Sequence, residues 1–283
     1  MPTAKIRGAT IVYEVLGTSG PWLALMPGGR RGKDEVKSLA SRIADGGFRV
    51  LIHDRRNCGA SDVVLEGEES EYETWADDLF ALMTELKALP AYIGGASSGC
   101  RMSVLFALRH PEAVKGLLLT RCTGGAFACN RLAENYYGQY MKAAEQGGMA
   151  AVAEMEHWRD RIAANPANRA RILGLDPKRF IANFARWREP FATGASLPMI
   201  GATEQDLRGI KVPTQVIPGH DRTHGRATGM RVGALIPGAE IVDLMGPDID
   251  ADLAVEAWGG EKEVELARLS IDFMRRAEKK RAA

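Results

Sequence analysis

Short apolar runs alternate with helical stretches along most of this chain, and the alternation is interrupted once. Trp22–Met26 (WLALM), Arg49–His53 (RVLIH), Ala91–Gly94 (AYIG) and Gly116–Thr120 (GLLLT) read as buried strands. Helical stretches separate them: Val36–Ala44, Glu71–Leu89 and Gly99–Arg109. In the second of these Trp75, Leu79, Leu82, Met83 and Leu86 recur on one face at helical spacing, and Pro90 follows. Strands that come back only after a helix pair in parallel, so the pattern predicts a mostly parallel sheet with helices on both faces. An earlier run, Ala9–Leu16 (ATIVYEVL), is rich in β-branched residues and is expected to join as an antiparallel strand. From Gly124 to about Arg208 no buried strand is legible; the segment reads as helices over Asn130–Gln146, Met149–Ala163 and Pro177–Trp187. The beat resumes with Val212–Pro218, a helix ending near Ile236, a strand over Glu240–Leu244 and a final helix from about Gly260 to Lys279. The expected organisation is one α/β core, residues 1–123 and 209–283, carrying a helical insertion at 124–208.

Composition narrows the partners. Lys and Arg number 37 against 36 Asp and Glu, which gives no broad basic face for nucleic acid. No run is long and apolar enough to span a bilayer, and the N-terminus lacks the apolar stretch of a secretory signal, so the expected compartment is the cytoplasm. The four cysteines show no metal-ligand spacing and are expected to be free thiols; no metal or other cofactor is implied. A small-molecule substrate is the expected partner, and a homodimer is left open.

Gly95-Ala96-Ser97-Ser98-Gly99 follows one apolar strand directly and opens an amphipathic helix. The spacing G-x-S-x-G alone is weak, but the strand–turn–helix context is the one a nucleophile elbow requires. Small flanking residues let strand and helix approach closely, and the turn lifts the serine hydroxyl to a helix N-terminus, where developing negative charge is stabilised.

With that elbow, the chain resembles the α/β-hydrolase superfamily along nearly its full length. Pro27-Gly28-Gly29 stands after the third strand, where the family usually has His-Gly-x. Asp54-Arg55-Arg56-Asn57-Cys58-Gly59-Ala60-Ser61 is similar to the family's D-x-R-G-x-G-x-S loop. Pro218-Gly219-His220-Asp221 is similar to the segment delivering the catalytic acid, and the helical insertion falls where the family carries its cap. The resemblance implies an α/β fold with a mostly parallel eight-stranded sheet. It makes Ser97 the nucleophile, the backbone N–H groups of Gly29 and Ser98 the oxyanion hole, and Asp221 the acid. Each oxyanion donor is worth about 3 kcal/mol.

One member of the pattern is missing. The family's histidine lies after the last strand, and here that loop, Met245–Asp252, holds three aspartates and no histidine. A serine hydroxyl needs a base to take its proton. Of the five histidines, His224 sits three residues beyond Asp221 and is the best candidate; His53, His110 and His220 have structural explanations, and His157, beside Trp158 in the insertion, either lines the pocket or packs. Three arrangements are compatible with the residues: a base moved to His224 in a hydrolase of esters, lactones or carbon–carbon bonds next to a carbonyl; a carboxylate such as Asp250 in a non-hydrolytic lyase or isomerase; or a binding protein without turnover. The insertion's aromatic residues are expected to wall an apolar pocket, with Tyr137, His157 and Trp158 on it. Arg30, Arg31 and Arg121, at strand ends, are candidates for a substrate carboxylate.

Overall fold

The computed structural model describes residues 1–282. Eight strands form one sheet: β1 (Thr3–Ile6), β2 (Ala9–Leu16), β3 (Trp22–Met26), β4 (Arg49–His53), β5 (Ala91–Ala96), β6 (Val114–Thr120), β7 (Thr214–Ile217) and β8 (Glu240–Ile241). Their order is β1-β2-β4-β3-β5-β6-β7-β8, antiparallel at β1–β2 and β2–β4 and parallel thereafter. The helices of the core are α1 (Lys37–Asp45), α2 (Glu71–Glu85) and α3 (Ser98–Arg109). Next come α4 (Gly125–Ala133), α5 (Gln139–Glu154), α6 (Glu156–Ala164), α7 (Ala167–Leu173) and α8 (Pro177–Thr193). The chain ends with α9 (Glu204–Gly209), α10 (Arg226–Leu235) and α11 (Glu261–Ala282).

The strands are apolar throughout because both faces of the sheet are covered, and the period of two assigns each residue its face. Leu23, Leu25, Val50, Ile52, Tyr92 and Leu118 pack under α1 and α11 with Ile43, Phe273 and Met274. Their chain neighbours Ala24, Met26, Leu51, Ile93, Leu117 and Leu119 face the other way, into the larger core shared with α2, α3 and α10. Each fully buried Leu, Ile or Val stabilises the fold by about 1.5–3 kcal/mol.

No named strand interrupts the stretch from α4 to α8. Its helices enclose an aromatic core of Tyr137, Tyr140, Trp158, Phe180, Phe184, Trp187 and Phe191. Polar ties pin it to the strap after β4: Asn168 donates to Ser61 O at 3.1 Å and accepts from Val63 N at 2.9 Å. Asn183 donates to Leu65 O, and the Trp187 indole to Glu69 O, each at 2.8 Å. Between α4 and α5 lies a π-helical turn, Glu134–Gly138. The helix break expected between Gln146 and Met149 is present inside α5, where Gly147 and Gly148 leave helical geometry. α9, within the expected insertion, packs instead on α3 and α10 of the core. Among the described residues no helix is long and apolar enough to cross a membrane.

Candidate active site

Ser97 sits between β5 and α3 with φ +56° and ψ −110°, a backbone conformation that costs of order 1–3 kcal/mol and persists only where the surroundings enforce it. Two glycines make the turn possible by close approach. A Cβ on Gly95 or on Gly99 would stand 2.5 Å from Met26 O. The Ser97 amide donates to Thr120 O at 3.0 Å, and Ser97 O accepts from Arg101 N at 3.1 Å to start α3.

The loop after β7 delivers two more groups. The Ser97 Oγ hydroxyl lies 2.8 Å from His224 Nε2, and His224 Nδ1 lies 2.8 Å from Asp221 Oδ1. A buried, ionised carboxylate accepts only, so Nδ1 carries the proton and Nε2 presents its lone pair to the hydroxyl. The loop is wound tightly: Asp221 Oδ1 also accepts from Thr223 N at 3.0 Å and His224 N at 2.8 Å. Gly219 is required because any Cβ there would collide with the His224 backbone. Oδ2 accepts from Ala254 N at 3.0 Å and from Arg121 Nη2 at 3.3 Å.

These contacts set the protonation states. Burial works to raise the Asp221 pKa, but the hydrogen bond and charge of His224, the Ala254 amide and Arg121 outweigh it and hold the carboxyl well below its ordinary range. For His224 burial is the largest influence and lowers the pKa; the Asp221 hydrogen bond opposes it, the Arg121 charge adds to it, and the imidazole settles at about 4. It is therefore neutral near pH 7, ready to accept a proton.

Gly29 and Ser98 stand beside the serine. Neither amide is bonded to another group among the described residues, and Gly29 takes φ +48°. Buried Arg55 braces both: it donates to Gly29 O at 2.7 Å and to Ser98 Oγ at 3.0 Å, and Ser98 Oγ is also 2.8 Å from the Tyr72 hydroxyl. The Tyr136 hydroxyl lies 3.5 Å from the Cβ position of Gly29, and burial pushes its pKa up to about 12, so it remains a donor.

A cavity of about 280 Å³ opens over Ser97 and His224, lined by Gly28, Gly29, Tyr136, Tyr140, His157 and a set of arginines. Its Gly28 wall packs 3.5 Å from Ser97 Cβ, measured to the position a Gly28 Cβ would take. The strand–turn–helix order, the sheet topology and this elbow decide the fold. This is an α/β-hydrolase-fold protein. Residues 21–122 of this α/β-hydrolase-fold chain match the family described as alpha/beta hydrolase fold. A segment of 112 residues is 35% identical to the uncharacterized hydrolase YraK of Bacillus subtilis, covering 40% of this chain and 41% of that protein's length. Among solved structures, an enol-lactonase from Burkholderia xenovorans superposes with TM-score 0.65 at 22% identity, over 97% of this chain and 100% of that one. The meta-cleavage product hydrolase CumD from Pseudomonas fluorescens superposes with TM-score 0.66 at 18% identity, over 98% of each chain.

The remaining candidates in this α/β-hydrolase-fold protein divide. Arg30 and Arg121 line the cavity, but their guanidinium groups are engaged, Arg30 by Glu71 at 2.7 Å and Arg121 by Asp221. Tyr137 and Trp158, expected on the wall, lie fully buried behind it; the Tyr137 hydroxyl donates to Glu71 at 3.1 Å. Tyr136 and Tyr140 take the wall positions instead. Asp250 is exposed and not part of the cavity lining. Among the other histidines, His110 pairs with Asp77 at 2.8 Å, His220 packs 5.9 Å from the Trp258 ring, and burial lowers His53 to about 3. Arg55 and Arg131 were not singled out by sequence, and Tyr136 only as one of the insertion's aromatic residues. For Arg55 a signal existed, its place in the loop after β4 that leads toward the site.

Proposed function

We propose that this protein is a serine hydrolase in which Ser97, His224 and Asp221 form the catalytic triad, with acid and base on one loop. Its substrate is an ester or lactone, or a carbon–carbon bond next to a carbonyl. The observation that carries the reading is the unbroken chain of two 2.8 Å hydrogen bonds from the Ser97 hydroxyl through His224 to Asp221.

His224 Nε2 takes the hydroxyl proton as Oγ attacks the carbonyl carbon. Asp221 keeps the Nδ1–H in place and stabilises the imidazolium that forms. The Gly29 and Ser98 amides receive the oxyanion, held in position by Arg55 from behind. The imidazolium then protonates the leaving group, and a water molecule repeats the sequence on the acyl-enzyme. The helices α4–α8 act as the cap that shields this cycle from bulk water. These side chains and water handle every proton and electron pair in the cycle.

A fluorophosphonate probe tests the reading. It forms a phosphonyl ester with an activated serine, and peptide mass mapping is expected to place it on Ser97. Unlabelled protein, together with unchanged esterase turnover in Ser97→Ala, would remove the mechanism.

A further inference from the structure

Four arginines reach the cavity above Ser97: Arg30, Arg31, Arg121 and Arg131. Three have partners: Arg30 with Glu71 at 2.7 Å, Arg31 with Glu35 at 3.1 Å and Arg121 with Asp221 at 3.3 Å. Arg131 is half-buried on α4, and among the described residues it makes no ion pair and no side-chain hydrogen bond. Three carboxylates against four guanidinium groups leave one positive charge unmatched, and it lies on the wall that also carries the neutral His224. Arg131 is close enough for its charge to lower the His224 pKa. A partly desolvated cation without a partner is unfavourable in the empty cavity and favourable once an anion arrives.

The neighbouring residues suit such a guest. Asn135 follows Arg131 by four positions, in the π-helical turn, and lines the same cavity, so its amide and the guanidinium border one space. A guanidinium offers a planar pair of donors that matches a carboxylate. A single unmatched charge balances a monoanion; a phosphate monoester would bring about two negative charges near neutral pH.

We propose that the substrate carries one carboxylate besides the carbonyl that is attacked, and that Arg131, with Asn135, holds this carboxylate while Ser97 reacts. This rests on the hydrolase reading above, but its anion seat is testable without turnover. In Ser97→Ala, calorimetry compares monomethyl glutarate with dimethyl glutarate, which differ in one negative charge. The monoanion is expected to bind roughly 10- to 100-fold more tightly, the range of one charge-assisted contact. Adding Arg131→Gln should bring the ratio near one, and Arg131→Lys should keep most of it. Equal binding of the two esters, no detectable binding of the monoanion, or a ratio unmoved by Arg131→Gln overturns the proposal. In the wild type, kcat/KM for mono-p-nitrophenyl glutarate over that for p-nitrophenyl valerate should fall by a similar factor in Arg131→Gln. If Ser97 neither labels nor turns over either ester, the hydrolase reading fails, and the binding ratio still decides the anion seat.

Discussion

The loop after β7 and the loop after β8 lie side by side and have opposite character. The first is short and buried, and it holds both Asp221 and His224 within three residues. The second is longer, and its carboxylates Asp248, Asp250 and Asp252 face solvent. Asp252 pairs with Arg222 at 3.1 Å, but the ties to Thr223 and Asp221 are made by the loop's backbone. Ala251 O accepts from Arg222 N at 2.8 Å, Asp252 O accepts from the Thr223 hydroxyl at 2.6 Å, and Ala254 N donates to Asp221. The loop in which the family usually carries its base thus buttresses the loop that holds His224, the base proposed above. A base is defined by reach to the hydroxyl and by an acid behind it, not by its position along the chain.

Substitutions can break this comparison, beginning where the effect is greatest. His224→Ala is expected to slow fluorophosphonate labelling and ester turnover by roughly 10⁴-fold or more, since the members of a triad act as a unit; a rate within tenfold of wild type would move the base elsewhere. Asp221→Asn should reduce kcat by about 10³- to 10⁴-fold while circular dichroism stays native, because the amide favours the wrong imidazole tautomer.

Acid should act on both rate and stability. The rate needs neutral His224, so kcat/KM is expected to hold as pH drops below 6.5 and to fall about tenfold per unit below about 4. The unfolded chain takes up the His224 proton near 6.5 and the native chain only near 4. Between those values the unfolded state binds more protons, so stability falls as pH is lowered through that window. Scanning calorimetry should show a declining Tm, with a shallower slope in His224→Ala.

Smaller effects sharpen the contrast. Thr223→Val removes the hydroxyl tie to Asp252 O and should lower kcat/KM several-fold and Tm by a few degrees, as expected for about one net hydrogen bond. Asp250→Asn should change kcat/KM by less than about twofold; a large loss would return the C-terminal loop to the chemistry.

Much of this was readable from residue order. WLALM, RVLIH, AYIG and GLLLT became β3, β4, β5 and β6 because strands covered on both faces must be apolar throughout. The edges were harder. β1 (TAKI) buries only Ala4 and Ile6 and was passed over, and of the expected strand over Glu240–Leu244 only Glu240 and Ile241 pair. Ser97 and Asp221 are carried by local patterns, whereas His224 was reached by elimination, since proximity to a serine 127 positions away is a property of the fold. At Tyr137 the wall differs from the expectation because the helical phase changes between Glu134 and Gly138, and no residue in ENYYG announces that change; Trp158, on α6, packs instead against the Tyr140 and Phe184 rings.

That one wide turn also makes the wall adjustable. An α-helical turn holds about 3.6 residues and a π turn about one more, so deleting a single position between 134 and 138 would return the stretch to ordinary winding while the helix on either side keeps its facing. Tyr140 would keep its place on the wall, and the change would fall on the residues inside the turn, Asn135 and Tyr136 among them, while the sheet, the elbow and the loop after β7 stayed as they are. In this architecture a one-codon length change reshapes one patch of the wall and leaves Ser97, His224 and Asp221 where they are.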